Sequence, residues 1–178
     1  MTPAELKDLI RSIPDFPKPG ILFRDITTLI GHGPGLAASI DHLAARAVAA
    51  DAQAIAGIEA RGFIFGAAVA AKLALPFVPV RKPGKLPVPV LAIDYALEYG
   101  TDTLEVDPGA VADGQRFVLV DDLIATGGTA LAAVQLLRQA GARVKDALFV
   151  IDLPDLGGAA KLRVAGLLVE SLMDFPGH

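Results

Sequence analysis

The chain has 178 residues, of which 16 are basic and 20 acidic, so its formal net charge is −4. This length favours one domain with a substantial core, and the acidic balance argues against nucleic acid as a partner. Although 53% of the residues are hydrophobic, no uncharged run reaches the roughly 18 apolar residues that span a bilayer. With no cysteine and no apolar signal segment, we expect a cytoplasmic protein without disulfides, thiol catalysis or a membrane partner.

The N-terminal region predicts a short helix followed by an extended arm. Thr2–Glu5 is a capping box with proline at the first helical position, and the helix is expected to end near Ser12. Prolines then interrupt regular structure, and the apolar run 21–26 predicts a strand or extended arm. By themselves, Arg24 and Asp25 within this arm indicate a surface ion pair.

After a helix over 34–50, the buried run Ala54–Ile58 predicts a strand that leads into a tight turn and a helix over 63–73. The turn consists of Glu59, Ala60, Arg61 and Gly62. A helix N-terminus presents unpaired N–H groups, so this turn can bind an anion, and Arg61 would add a positive charge. Arginines in loops are usually only solvated, so the pattern alone leaves both interpretations open.

A third strand, Phe77–Val80, leads into a basic, proline-rich loop that contains Arg81, Lys82 and Lys85. Such a loop is either a solvated charge run or an anion site, and we find no obvious partner charge for it within the subunit. Residues 87–103 show no hydrophobic periodicity, which predicts a long irregular loop of the kind that forms lids or binding loops. A short strand over 104–106 follows.

The stretch after the next strand, Phe117–Val120, carries the strongest functional signal. Asp121 and Asp122 would lie at the carboxyl end of that strand, where open α/β sheets bind ligands. A glycine turn follows, made of Ala125, Thr126, Gly127, Gly128 and Thr129. Its N–H groups would bind a phosphate, with Thr129 capping a helix over 130–139. Because two carboxylates repel phosphate but accept from neighbouring hydroxyls, we expect a ribose 5-phosphate as the ligand.

The remaining segments complete an α/β pattern. A strand over 144–151 leads to Leu153, a short helix follows between 157 and 166, and a last strand covers 167–172. Strands and helices that alternate with short turns predict one parallel sheet flanked by helices.

The fourteen residues from Phe117 to Ala130 resemble the phosphoribosyl pyrophosphate (PRPP) signature of the type I phosphoribosyltransferases. Together with other segments, they are most similar to the adenine-specific enzymes of that family. The resemblance implies a Rossmann-like fold with one domain over 1–178. A small hood would be formed by residues 1–33 and the C-terminal segment, and a flexible catalytic lid by 84–104. It also implies a homodimer in which the basic loop is shared between subunits.

The resemblance further implies a pentosyl transfer from PRPP to N9 of adenine, giving AMP and pyrophosphate in purine salvage, with Mg²⁺ held through PRPP rather than by protein ligands. The ribose and its phosphate would be bound by Asp121, Asp122, Ala125, Thr126, Gly127, Gly128 and Thr129. Pyrophosphate would be bound by Glu59, Ala60, Arg61, Gly62, Arg81, Lys82 and Lys85, in a turn that often contains a non-proline cis peptide. Adenine would lie against Leu22, Phe23, Arg24 and Leu153. Glu98 would orient or protonate the base at N7.

Two alternatives remain open from the sequence. A transferase for another nucleobase, a 6-oxopurine or uracil, would keep the phosphate turn but should carry a lysine near the end of the strand over 144–151, or a different C-terminal hood. The segment Val150–Leu153 has no lysine. A regulator that senses PRPP without catalysis would normally add a DNA-binding segment and could lose Glu98.

Overall fold

The computed structural model describes residues 1–177, and in it the chain forms six α-helices and nine β-strands. In chain order these are α1 (Pro3–Lys7), β1 (Arg11–Pro14), β2 (Leu22–Asp25), α2 (Thr27–Ile30), α3 (Gly33–Ala49), β3 (Ala54–Ile58), α4 (Gly62–Leu73), β4 (Phe77–Val80), β5 (Leu91–Ala96), β6 (Thr101–Val106), β7 (Arg116–Ile124), α5 (Gly128–Gln139), β8 (Arg143–Asp152), α6 (Gly158–Val164) and β9 (Leu168–Asp174).

A five-stranded sheet in the order β4-β3-β7-β8-β9 forms the centre of the fold, and every neighbouring pair is parallel. This confirms the predicted α/β architecture. Strands β3 and β7 pair directly, with Ala54 opposite Phe117 and Gly57 opposite Val120. Because parallel strands end at the same edge, the two turns that follow β3 and β7 lie side by side.

The sheet is buried on both faces, which explains the unbroken apolar runs in its central strands. Consecutive residues of β7 alternate between two core clusters. Phe117 and Leu119 belong to the cluster beneath α5, α6 and the pair β5–β6, whereas Val118 and Val120 belong to the cluster beneath α1 to α4. None of the helices within residues 1–177 has the length and hydropathy needed to cross a membrane.

The N-terminal arm differs from the prediction. The capping box of Thr2 and Glu5 is present, but α1 ends at Lys7 instead of near Ser12. Residues 11–14 instead form β1, which pairs antiparallel with β2. Pairing with β2 and the hydrogen bond from the Arg11 amide to Thr28 Oγ1 override the helical pattern.

The arm and the C-terminal segment contact each other, as the predicted hood requires. The Arg24 guanidinium lies 4.5 Å from the centre of the Phe175 ring, and its Nη2 donates to the carbonyl oxygen of Pro176 at 3.1 Å. Arg24 does not pair with Asp25, because the Asp25 carboxylate accepts from Arg11 instead. An ion pair between Arg11 and Asp25 therefore replaces the predicted pair, and Arg24 contacts the C-terminal segment instead.

The prediction of an irregular loop over 87–103 is wrong, because β5 and β6 form an antiparallel hairpin. Leu91, Ile93 and Tyr95 point inward and pack on the core beside α5, whereas the residues between them are exposed. Of the three exposed positions in β5, Ala92 and Ala96 are alanines and only Asp94 is polar, so the alternation is weak in the sequence. The segment predicted as a lid therefore contains a hairpin with an exposed tip at residues 97–100.

Candidate active site

The carboxyl edge of the sheet contains a cavity of about 280 Å³ between the turns that follow β3 and β7. It is lined by predicted site residues from three segments, namely Glu59, Ala60, Arg61, Lys82, Asp121, Asp122, Ala125, Thr126, Gly127, Gly128 and Thr129. Eleven positions that are spread over seventy residues of sequence are therefore brought together, because β3, β4 and β7 are neighbours in the sheet.

The turn over 125–129 has the features of a phosphate-binding loop. Within residues 1–177, the amides of 126–129 donate to no protein acceptor, and α5 begins there. Gly127 adopts φ +82°, and a Cβ at this position would lie 2.8 Å from Gly158 Cα. Thr129 is not the predicted cap, since the N-cap residue is Gly127 and no side chain caps the helix. The unpaired amides and the helix dipole favour an anion at this point.

Two acids lie at one side of the cavity, but they do not follow the end of the strand as predicted. Strand β7 continues to Ile124, so Asp121 and Asp122 lie within the strand. The Asp122 side chain is only 8% exposed and accepts from Arg61 Nε at 2.5 Å. This hydrogen bond raises the pKa of Arg61. Burial, and then the charge of Asp122, raise the pKa of Asp121.

The turn after β3 is packed tightly against these acids. A Cβ on Gly62 would lie 2.7 Å from Asp121 Oδ1, so only glycine fits between α4 and β7. The amides of residues 60–62 find no protein acceptor within residues 1–177, as the predicted anion site requires. The peptide bond between Glu59 and Ala60 is cis, in agreement with the implied non-proline cis peptide.

The basic loop after β4 was predicted to have no partner charge within the subunit. This prediction is wrong for two of its three cations, Arg81 and Lys82. Glu59 Oε1 accepts from Arg81 Nε at 3.0 Å and from Nη2 at 2.7 Å, while Lys82 pairs with Asp102. Burial alone would raise the pKa of Glu59, but the hydrogen bonds from Arg81 and from the Lys82 amide lower it overall. Lys85 is exposed and forms no ion pair within residues 1–177.

A second cavity, of about 300 Å³, lies between the N-terminal arm and the first cavity. Its lining is largely apolar and consists of Ile13, Phe16, Phe23, Arg24, Asp25, Ile26, Thr27 and Arg61. Phe16 and Phe23 meet edge to face at 5.1 Å between ring centres. Because Arg61 lines both cavities, the apolar space and the anion site are adjacent.

Two residues predicted to contact the base lie outside both cavities. Leu153 is 9% exposed and belongs to the core cluster beneath α1 to α4, and its amide donates to the Ile124 carbonyl at 3.0 Å. Leu22 is half-buried in β2 opposite Pro14. Their predicted contact with a base stays a prediction.

Glu98 lies at the exposed tip of the β5–β6 hairpin, outside both cavities, and forms no hydrogen bond within residues 1–177. Beside it, the Tyr99 ring is 77% exposed and lies 5.5 Å from Lys18 Nζ of the N-terminal arm. The hairpin therefore extends from the turn over 125–129, which it contacts through Tyr95, to the N-terminal arm, which it contacts through Tyr99. Glu98 lies next to Tyr99 at the tip.

Sequence reasoning missed Tyr95 and Asp102, which connect the hairpin to the turn over 125–129. Thr129 Oγ1 donates to the Tyr95 hydroxyl at 3.3 Å, and that hydroxyl donates to Asp102 Oδ2 at 3.2 Å. The alternation of Leu91, Ile93 and Tyr95 was the signal that could have placed Tyr95 on the inner face.

The chain matches the family described as "Phosphoribosyl transferase domain" over residues 27–156, and the chain belongs to that family. Its fold is the type I phosphoribosyltransferase fold.

Within this family, the chain is similar to proteins named adenine phosphoribosyltransferase. A protein of Novosphingobium aromaticivorans named adenine phosphoribosyltransferase is 72% identical over 178 residues and is covered completely, as is this chain. The crystal structure of adenine phosphoribosyltransferase from Thermoanaerobacter pseudethanolicus superposes with a TM-score of 0.93 at 48% identity, covering 98% of this chain and 100% of that one. The Saccharomyces cerevisiae enzyme, complexed with adenine and an imino-altritol bisphosphate, gives a TM-score of 0.89 at 38% identity, with coverage of 96% and 98%.

Proposed function

We propose that this protein is a pentosyltransferase that moves the 5-phosphoribosyl group of PRPP to N9 of adenine, giving AMP and pyrophosphate. The observation that carries the proposal is the shared position of Arg61. It lies between a cavity with two sets of free backbone amides and a cavity lined by aromatic and aliphatic side chains. A ligand with two phosphorylated ends fits the first cavity, and a flat base fits the second.

The roles follow from the charges. The amides of 126–129 bind the 5′-phosphate, and Asp121 and Asp122 accept from the ribose hydroxyls. The turn over 59–62 binds pyrophosphate through its free amides and Arg61, and Arg81, Lys82 and Lys85 add positive charge around it. Adenine stacks in the second cavity, beside Phe23 and Arg24. Its contact with Leu22 and Leu153, which lie outside that cavity, is also part of the proposal. The single domain over 1–178 and the lid over 84–104 are part of this proposal.

The transfer forms a bond from N9 to C1′ and breaks the bond from C1′ to a pyrophosphate oxygen, through a sugar with oxocarbenium character. The ring N–H proton that adenine loses goes to the departing pyrophosphate or to water, and any proton that Glu98 gives to N7 returns to Glu98. Arg61 stabilises the negative charge that develops on the leaving group. Glu98, brought over the base by the hairpin, orients or protonates N7. The β5–β6 hairpin excludes water while C1′ is cationic, which suppresses hydrolysis of PRPP.

We infer that Mg²⁺ enters with PRPP. Within residues 1–177, no three His, Cys, Asp or Glu side chains are grouped as a metal site. Oxygens of pyrophosphate and ribose suit this ion, and Asp121 and Asp122, which line the same cavity, would accept from its water ligands. When bound, Mg²⁺ neutralises charge on the leaving group.

We further propose that the enzyme is a cytoplasmic homodimer. Of the three cations in the basic loop, only Lys85 forms no ion pair within residues 1–177. Three residues further along, Val88 is 43% exposed. A partner subunit could bring this cation to its neighbour's pyrophosphate and cover the apolar side chain. Sedimentation equilibrium checks the proposal, and a fully active monomer would exclude the shared site.

The decisive experiment for the reaction supplies PRPP and Mg²⁺ together with adenine, hypoxanthine, guanine or uracil in separate assays. We expect AMP from adenine and at most traces of nucleotide from the other bases. PRPP binding without any nucleotide product would indicate a sensor, and preference for another base would reassign the substrate.

A further inference from the structure

Four polar groups from three segments meet beneath the lid hairpin. Lys82 follows β4, Tyr95 and Asp102 are cross-strand partners in β5 and β6, and Thr129 lies in the first turn of α5. Lys82 Nζ donates to Asp102 Oδ2 and, at 3.4 Å, to the Tyr95 hydroxyl oxygen. Together with the bonds from Thr129 to Tyr95 and from Tyr95 to Asp102, these contacts form one continuous network.

Packing against the core holds the Tyr95 ring in place, whereas its O–H bond can rotate towards different acceptors. Tyr95 is half-buried and packs on the core cluster beneath α5. A phenolic hydroxyl has one proton and can also accept, and it rotates to suit its partners. Tyr95 now accepts from Thr129 and Lys82 and donates to Asp102.

Phosphate binding changes what Thr129 can donate. The Thr129 hydroxyl also has a single proton, which is currently directed at Tyr95. An anion held by the free amides of 126–129 is a stronger acceptor than a phenol, so it attracts that proton. Thr129 Oγ1 then becomes an acceptor that faces Tyr95.

The opposite direction of donation satisfies every group. Tyr95 can donate to Thr129 while its oxygen keeps the hydrogen bond from Lys82, because an ammonium has three protons and can serve Tyr95 and Asp102 together. Asp102 keeps its pair with Lys82 and the bond from the Thr103 amide at 2.8 Å. Each donor in the chain from Lys82 through Tyr95 and Thr129 to the phosphate is then polarised by the next, which strengthens the series.

We propose that Tyr95 is a positioning residue whose hydroxyl reverses its hydrogen bond when phosphate occupies the turn over 125–129, so that ligand binding and seating of the lid hairpin favour each other. The inference rests on the proposed phosphate role of that turn. Because such coupling is reciprocal, whatever strengthens the seating of the hairpin also strengthens phosphate binding.

The sequence permits a direct optical test, since the chain has two tyrosines and no tryptophan. In Tyr99→Phe, emission comes from Tyr95 alone. A tyrosine that donates to a carboxylate is quenched, so titration with inorganic phosphate should increase emission as Tyr95 turns from Asp102 to Thr129. Calorimetry on the same variant measures phosphate binding independently.

Thr103→Val in the Tyr99→Phe background is the matched control. Thr103 Oγ1 donates to Asp94 Oδ1 at 2.5 Å in the neighbouring cross-strand pair, on the exposed side of the same hairpin. This variant should retain both the emission response and the phosphate affinity. In contrast, Tyr95→Phe should weaken phosphate binding by about two- to tenfold, the contribution of one neutral hydrogen bond.

The outcomes distinguish the proposed role of Tyr95 from the phosphate role of the turn over 125–129 on which it rests. Calorimetric binding without an emission change, or unchanged affinity in Tyr95→Phe, would overturn the role of Tyr95 and leave the phosphate turn intact. A wild-type protein that binds neither inorganic phosphate nor ribose 5-phosphate would overturn both. An emission response equally lost in Thr103→Val would reduce Tyr95 to a general structural residue of the hairpin.

Discussion

Of two adjacent glycines in the turn over 125–129, only one is a position where an added methyl group should greatly lower stability. Gly127 has φ +82°, and its Cβ would lie 2.8 Å from Gly158 Cα and 2.9 Å from the Gly158 oxygen. Gly128 begins α5, and its Cβ would meet only the Ala96 oxygen at 3.7 Å, an ordinary contact.

The magnitude for Gly127→Ala follows from two terms. A non-glycine residue in the left-handed region costs about 1–2 kcal/mol. The clash is with backbone atoms, which cannot rotate away, and such overpacking costs about 1–3 kcal/mol more. At about 2–4 °C per kcal/mol for a chain of this size, the melting temperature should fall by roughly 4–20 °C. Gly128→Ala should change stability by less than about 1 kcal/mol, because alanine suits a helix.

Thermal unfolding of wild type and both variants, followed by circular dichroism without ligand, provides the comparison. Calorimetric and van't Hoff enthalpies should be compared first, so that the melting temperatures refer to one cooperative transition. Equal melting temperatures for the two variants would refute the reasoning, since they would mean that the contact between 127 and 158 yields without cost.

Three further predictions concern the acids. Asp121→Asn combined with Asp122→Asn should weaken PRPP binding at least about tenfold through loss of charged acceptors, and an unchanged dissociation constant by calorimetry would remove their ribose role. Glu98→Ala should lower kcat and kcat/KM together by about 10²–10⁴-fold, with PRPP affinity retained. Near-normal AMP formation by this variant would contradict the catalytic role. Glu98→Gln should be more active than Glu98→Ala if Glu98 mainly orients the base. Hydrogen bonds from Thr27 and then Arg11 lower the pKa of Asp25 to about 2. Its stabilisation is therefore present above about pH 4 and lost as the pH falls to about 2, so Asp25→Asn should show a smaller decline over that window in denaturant titrations.

The central sheet could be predicted from the sequence because its signals are local. The runs Ala54–Ile58 and Phe117–Val120 are apolar at every position, and turns with glycine follow both. The lid hairpin could not be predicted in the same way. Alanines occupy two of the exposed positions in β5, so the polar half of the alternation is weak. The apolar half is recognisable only in the fold, where Leu91, Ile93 and Tyr95 pack against the core beside α5.

Within the site, the types and positions of the residues were predictable, but their pairing was not. The position of Glu59 beside Arg81 depends on β3 and β4 being neighbours, a fact of sheet order rather than of spacing. In the same way, the burial of Asp122 results from the length of β7, which continues past two acids that would normally end a strand. Pairings between segments distant in sequence require the assembled fold.

The bond between Arg61 and Asp122 has a consequence for which molecules the cleft can select. A small anion that recruits Arg61 leaves the largely buried Asp122 carboxylate without its partner, and this desolvated charge opposes binding. A molecule that presents hydroxyl donors or a divalent cation beside its anionic end supplies a new partner to Asp122 at the same moment. Discrimination against abundant simple anions is thereby built into the resting charge arrangement, before any contact with a base is made.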